Sequence, residues 1–278
     1  MDAIALALSA AVTFGTGDFL GGLASRRSSA LLVTLVAQGA GLCLALPAAL
    51  LQGARADAPS LAWGAVAGLC GCVGLVLFFR ALADGVMSAA APVTAVVSAS
   101  LPVLAGVLLG ERPGALAWLG VGSGLLAVAA ISRGDGRAVR DGRGRALALA
   151  VGAGVGFGLF FVCLSRAAPT SGLWPLVGAR LGSLTLLGGV ALAGRLPRRA
   201  APVTLAQAAL SGSLDMVANA FFLLATRHGE LALVAVLVSL YPATTVLLAR
   251  TVLRERLSPV QLAGVALALL AVALIATG

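Results

Sequence analysis

No lysine occurs in this 278-residue chain, histidine and tyrosine occur once each, and only 10% of residues are charged. Without lysine there is no phosphate-binding GxxxxGK[ST] loop, so ATP-driven work would need a separate subunit. The lone His228 sits in an Arg-His-Gly-Glu stretch with no Ser/His/Asp set around it, so an enzyme is not expected. Nor does any second cysteine pair join His228 and Cys70-x-Cys72 in a zinc pattern, and no metal is expected. Cys43, Cys70, Cys72 and Cys163 all fall inside apolar stretches and read as small buried hydrophobes. A soluble domain would carry charge on roughly one residue in four. Charge this scarce cannot cover a water-facing surface, so the expected solvent is the lipid bilayer.

What the chain does have is apolar length: 60% hydrophobic residues and a mean hydropathy of +1.07. A helix needs about 20 apolar residues to cross the hydrocarbon core. Ten stretches qualify: 3–23, 30–51, 61–82, 88–109, 114–132, 146–164, 173–194, 203–225, 231–252 and 259–277. The first lacks the basic flank of a signal peptide and is expected to be retained. The net charge of +9 is all arginine, mostly in short links between these stretches. That placement suits anchoring at a membrane surface and gives no reason to expect nucleic acid.

The ten stretches repeat. Residues 80–132 laid on 224–276 without a gap give 17 identities in 53 positions, against roughly 7 by chance in a chain of this composition. The rarer residues decide it: Gly85 falls on Gly229, Glu111-Arg112 on Glu255-Arg256, and Gly120 on Gly264. The expected fold is an all-α polytopic membrane protein of ten transmembrane helices. Residues 1–132 form one five-helix repeat, 133–145 an Arg/Gly-rich linker, and 146–278 the second repeat. Five is odd, so the second repeat must enter the membrane from the opposite side, an inverted arrangement common in transporters. Glycines four apart (17/21, 64/68, 120/124, 152/156, 178/182) mark close helix contacts. Gly264 and Ala268 mirror Gly120 and Gly124, so the fifth and tenth spans are expected to pack together or to form a homodimer surface; the protein is then a monomer or a homodimer.

These features resemble the drug/metabolite transporter superfamily, in particular its EamA-like ten-helix branch. The resemblance rests on the Ala225…Gly229 pair, on Ser239-Leu240-Tyr241-Pro242, and on Glu255 thirteen residues after that proline. It covers nearly the whole chain. The first half departs from it: Ser98 stands opposite Pro242, with Pro102 four residues on, and Gln38 stands opposite Arg180. The resemblance implies movement of small organic solutes such as amino acids, metabolites, sugar conjugates or drugs, with export usual among bacterial members. A lipid or lipid-linked sugar flippase is the alternative within transport, and a non-transporting scaffold or complex subunit the alternative outside it.

Ionisable residues inside spans cost several kcal/mol unless paired or wetted, so they are the candidates. Asp215 and Asn219 lie one turn apart on the eighth span. Asp215 either binds a cationic group or proton at a central cavity, or pairs structurally with Arg180. Arg180 either neutralises a substrate carboxylate, pairs with Asp215, or snorkels to the interface. Gln38 lines the cavity or bonds helix to helix. Asp18 and Arg80 lie near span ends, where a charge costs less, and rank lower. Pro242 is expected to kink the ninth span, either to line a cavity with Ser239, Tyr241, Thr244 and Thr245 or for packing alone, with Pro102, Thr94, Ser98 and Ser100 as counterparts in the fourth. No cofactor is expected, though coupling to a proton or ion gradient is compatible with the acids.

Glu111-Arg112 and Glu255-Arg256 are expected at hairpins where charge reaches water, as structural markers of the repeat. Around the second, Ser258, Pro259 and Gln261 have the form of a capping box with a first-turn proline. Twelve loop arginines fall in odd-numbered links and four in even-numbered ones. By the positive-inside rule the odd links face the cytoplasm and both termini face out, in a cell membrane, the bacterial inner membrane being the expected one.

Overall fold

A computed structural model describes residues 3–85, 87–108, 114–132, 142–194, 200–228, 237–238 and 240–277. Among them run ten α-helices. The first repeat holds α1 (Ala3–Ser25), α2 (Ala30–Leu51), α3 (Ala58–Asp84), α4 (Met87–Leu108) and α5 (Ala115–Ser132). The second holds α6 (Gly142–Leu164), α7 (Trp174–Leu192), α8 (Pro202–His228), α9 (Tyr241–Val252) and α10 (Pro259–Thr277). Seven of these are long and apolar enough to cross a membrane. Of the others, α5 is a shorter apolar helix, and α8 is diluted by Gln207, Asp215 and Asn219. The outer faces agree with that solvent. Leu50, Leu119, Leu125 and Leu126 are each more than 60% exposed, which lipid tolerates and water does not. This is a multi-pass membrane protein.

Local chemistry sets the helix ends. Ser29 Oγ accepts from the Leu32 N–H at 3.2 Å, and Asp57 Oδ1 from the Ser60 N–H at 2.8 Å, capping α2 and α3. The box at α10 closes reciprocally. Ser258 N–H donates to Gln261 Oε1 at 3.0 Å, and Gln261 N–H to Ser258 Oγ at 3.3 Å. Pro242 sits in the first turn of α9, after a turn at Leu240, where its missing N–H is no loss. Residues 229–236 and 239, on which its expected kink turns, lie outside the described residues. Pro102 does lie within α4, together with Pro92.

The helices pack as a two-fold pattern in which almost every strong contact has its mate in the other repeat. α3 packs on α6 as α8 does on α1; α3 packs on α7 as α8 does on α2; α4 packs on α6 as α9 does on α1. The self-paired contacts, α2–α7, α4–α9 and α5–α10, lie on the pseudo-axis. Two glycines show how close the match is. A Cβ on Gly68 would overlap the Ala179 carbonyl oxygen, and one on Gly212 would overlap that of Ala37. Gly212 is Gly68 shifted by 144 residues, and Ala179 is Ala37 shifted by 142. The α3–α7 seam extends this with Gly64 against Pro175, Gly178 against Leu61 and Gly182 against Ala65, each facing backbone carbonyl oxygen. Gly120 meets Ala271 and Ile275 of α10, so the glycine edge of α5 is filled within the molecule.

Link contacts sort by parity. In the odd-numbered links Arg26 reaches Gly85 and Glu255, and Arg145 lies 3.9 Å from Asp84. In the even-numbered links Gln52 accepts from the Leu173 N–H, Trp174 Nε1 donates to the Ala54 carbonyl, and Ser60 Oγ accepts from the Ala168 N–H. Among the described residues the contacts therefore join odd links to odd and even links to even, as alternating crossings require.

Candidate functional site

The α3–α7 glycine seam holds α7 against the bundle, and from it Arg180 points inward. Its side chain is 13% exposed. The guanidinium donates from Nη1 to Gln38 Oε1 on α2, and from Nη2 to Asp215 Oδ2 on α8. Nη2 also lies 3.2 Å from the Met216 sulfur. Gly41 leaves the space it occupies, since a Cβ there would sit 3.1 Å from Arg180 Nε. Gln38 and Arg180 are repeat mates by the 142-residue offset, so they meet across the pseudo-axis. Of the three readings of Arg180, the pair with Asp215 is the one adopted in this conformation. Asn219 Nδ2 donates to the Asp215 backbone carbonyl at 2.7 Å and approaches its carboxylate at 3.4 Å, which keeps the amide beside the ion pair.

Asp18 completes the cluster. The sequence ranks it low as a span-end charge, yet α1 continues to Ser25 and Asp18 lines the same cavity as Arg180 and Asp215. It lies within Coulombic reach of Asp215 and of Tyr241. It makes no hydrogen bond or ion pair with another described residue. The signal that could have found it was available: an acid among glycines, Gly17 and Gly21, that bring α1 against α8 and α3. A Cβ on Gly17 would lie 3.2 Å from the Ser211 carbonyl, and Ser211 Oγ donates to the Gly17 carbonyl at 2.7 Å. Phe14 packs on the Tyr241 ring, centroids 6.3 Å apart. The cavity lined by Asp18, Arg180 and Asp215 is about 20 Å³, room for about one water. A second opening of about 150 Å³ lies toward the even-link face between α2 and α8, bounded by Leu44, Met216, Val217 and Asn219. Leu44 and Val217 are exposed, so it opens sideways.

Other candidates lie elsewhere. Thr94 is fully buried and donates to the Ala150 carbonyl at 3.0 Å, which ties α4 to α6 away from the cavity. Thr245 likewise ties α9 to α1 through the Gly15 carbonyl, and Thr244 packs its Cβ against Gly15. Ser98 is buried on α4, and Ser100 bonds its own helix at Val96. Arg80 pairs with Asp84 at an exposed helix end. Ser239, Glu111 and Arg112 lie outside the described residues. Arg256 is exposed, whereas the Glu255 side chain is 11% exposed and is turned toward other links. Of the cysteines, all free, only Cys72 is buried, and Cys43 faces outward. Among the described residues no three His, Cys, Asp or Glu side chains converge.

Comparison with known proteins gives three findings. The model of the EamA-like transporter family matches twice, over residues 1–133 and 144–277. None of the curated proteins is similar enough to count as a match. Among solved structures, one titled "Crystal structure of protein" is similar over 98% of this chain and 95% of its own, at 18% identity and a TM-score of 0.63. At that identity the likeness is one of fold alone.

Proposed function

The chain belongs to the EamA-like transporter family, and from that premise we propose that it is a secondary transporter of small organic solutes. It works by alternating access of its two repeats around the cavity. The observation that carries this reading is the Asp18–Arg180–Asp215 cluster beside a cavity inside an otherwise apolar bundle. Charges at such depth are expensive and are kept where a solute or ion needs them. Arg180 is already held by Asp215 and Gln38, so Asp18 is the group with attraction to spare. Two carboxylates against one guanidinium favour a solute bearing an ammonium or guanidinium group, or a coupling proton in its place. A solute carboxylate would instead compete with Asp215 for Arg180. The small cavity corresponds to an occluded step, and widening toward either face admits the solute. Five helices per repeat make the repeats inverted, so exchanging their conformations exchanges the open face. The arginine bias supports a cytoplasmic odd-link face, and we take export as the direction.

The opening between α2 and α8 favours a second reading. It is lined by apolar side chains, opens laterally, and has Asn219 at its polar end. An amphipathic solute or a lipid could enter there from the bilayer, which is the flippase alternative.

Counterflow in proteoliposomes without ATP tests both. Radiolabelled organic amines, amino acids, nucleobases and sugars form the panel, with a fluorescent lipid scrambling assay alongside. Exchange of amine-bearing solutes is expected. Lipid movement alone would shift the assignment to the flippase, and no movement of any probe by folded protein would end the transport reading.

A further inference from the structure

Glu255 joins three links drawn from both repeats. Its Oε1 accepts from Arg26 Nη2 at 3.1 Å and from the Met87 N–H at 3.1 Å. Its Oε2 accepts from the Ser88 N–H at 3.0 Å and from the Ser88 hydroxyl at 2.8 Å. Arg26 also donates to the Gly85 carbonyl at 3.4 Å. Met87 and Ser88 open α4, so their N–H groups are helix-end donors without partners inside the helix. A carboxylate of the second repeat thus caps a helix of the first, at the end where the helix dipole favours negative charge. Arg254 sets the turn just before it, with a left-handed φ of 54°. The Glu255 N–H then donates back to the Ala249 carbonyl at 3.2 Å.

Beneath this clasp lies a plug. Phe79, Leu82 and Met87 are almost wholly buried and press on α1 where glycines leave room. A Cβ on Gly22 would sit 2.7 Å from Leu82 Cβ and 2.9 Å from Met87 Cε, and one on Gly21 would overlap the Phe79 ring. Phe79 also lines the cavity. Cavity, plug and clasp therefore stack from the centre toward the odd-link face. Opening that face requires the α3–α4 hairpin to leave α1, which the clasp opposes.

We propose that Glu255 is the latch of the odd-link gate, and that its carboxylate releases the N-terminus of α4 once in each transport cycle. This rests on the alternating-access reading. The repeat supplies the reason to see a latch where a permanent cap would also fit. An offset of 144 puts Glu111 at Glu255, Gly229 at Gly85, and Leu231-Ala232 at Met87-Ser88; α1 and α6 aligned by their ends put Arg166 one residue from the place of Arg26. Residues 109–113 and 229–236 lie outside the described structure and enter by sequence alone. The parts are thus encoded once for each face, as a two-gate cycle requires, while permanent clasps on both faces would lock it.

The test is the labelling of a cavity cysteine from each side. Leu75→Cys, in a background with the four native cysteines replaced by alanine, is exposed in sided vesicles to a membrane-impermeant maleimide. A Ser28→Cys control identifies the odd-link face. Glu255→Gln should raise odd-face labelling about tenfold or more, the scale of a lost bond to a charged group, and lower even-face labelling. Ser88→Ala should move both rates the same way by a smaller factor. Unchanged odd-face labelling in Glu255→Gln, with only a lower melting temperature, would make it a structural cap and overturn the latch. If that variant does not fold, Ser88→Ala decides alone: raised odd-face labelling supports the latch and an unchanged rate overturns it. A parent cavity labelled from neither face, together with no solute flux, would instead bring down alternating access itself.

Discussion

The α1–α8 and α3–α6 contacts are the same seam built twice, and they differ in what they hold. Both are close helix crossings at corresponding places in the two-fold pattern. In the first, Gly17 and Gly21 admit Ser211, and Asp18 and Asp215 stand nearby. In the second, Gly71 admits Phe160, Gly74 admits Phe157, Gly156 meets the Gly74 backbone, and Phe157 sits edge-on to Phe78 with centroids 5.7 Å apart. Aligned by their ends, α1 and α6 place Phe157 where α1 has Asp18; α3 has Gly71 where α8 has Asp215. Of these seam glycines duplication kept one, Gly17 at Gly156, while Gly21 falls on Phe160 and Gly74 on Ala218. The charges stand on one side only. In this fold the symmetric part is architecture and the asymmetric part is chemistry.

The largest effects should come from the symmetric part and ignore the asymmetry. Gly68→Leu and Gly212→Leu each drive a side chain into a backbone carbonyl that cannot retreat, and should cost more than about 3 kcal/mol each. Both should abolish the monodisperse peak in detergent. If one seam tolerates its leucine, the two are not equivalent in packing. Next comes the charged seam. Arg180→Met strands Asp215 and should lower stability by about 3 kcal/mol, toward the low end for a broken buried pair because the Asp215 side chain is 40% exposed. Adding Asp215→Asn should recover most of the melting temperature but no transport. Recovery of transport as well would make the pair structural. The smallest effect lies outside both seams, at Asp57. Its bonds to the Ser60 N–H and hydroxyl hold its carboxyl below the usual carboxylate range. A lowered folded pKa gives stability that is present above the unfolded value and fades as pH falls through the folded one. Melting between pH 7 and pH 3 should therefore show a slightly shallower acid loss in Asp57→Asn than in the parent.

How much of this was legible follows from range. The ten helices, their repeat and the α10 capping box depend on local pattern, and the sequence carries them. The Arg180–Asp215 pair is visible there as one of two alternatives, because both are rare charges within long spans. Asp18 ranks too low in the sequence, since its depth depends on how far α1 continues past it and on which helices the glycines bring near. Repeat logic sets Thr94 beside the hydroxyls of the ninth span, but it says nothing about which face a side chain takes; the α4–α6 seam claims it. Glu255 reads as a surface marker because its partners, Met87 and Ser88, lie 168 and 167 residues away. No local pattern announces a cap supplied by another repeat.

The claim that the asymmetric seam carries function is tested most directly by Asp18→Asn in proteoliposome counterflow with an amine-bearing solute. The variant should fold and melt like the parent, because Asp18 bonds to no described residue, while counterflow falls at least about tenfold, the scale of a lost contact with a charged group. Parental counterflow in well-folded Asp18→Asn would contradict the account and return the chemistry of the site to Arg180 and Asp215 alone.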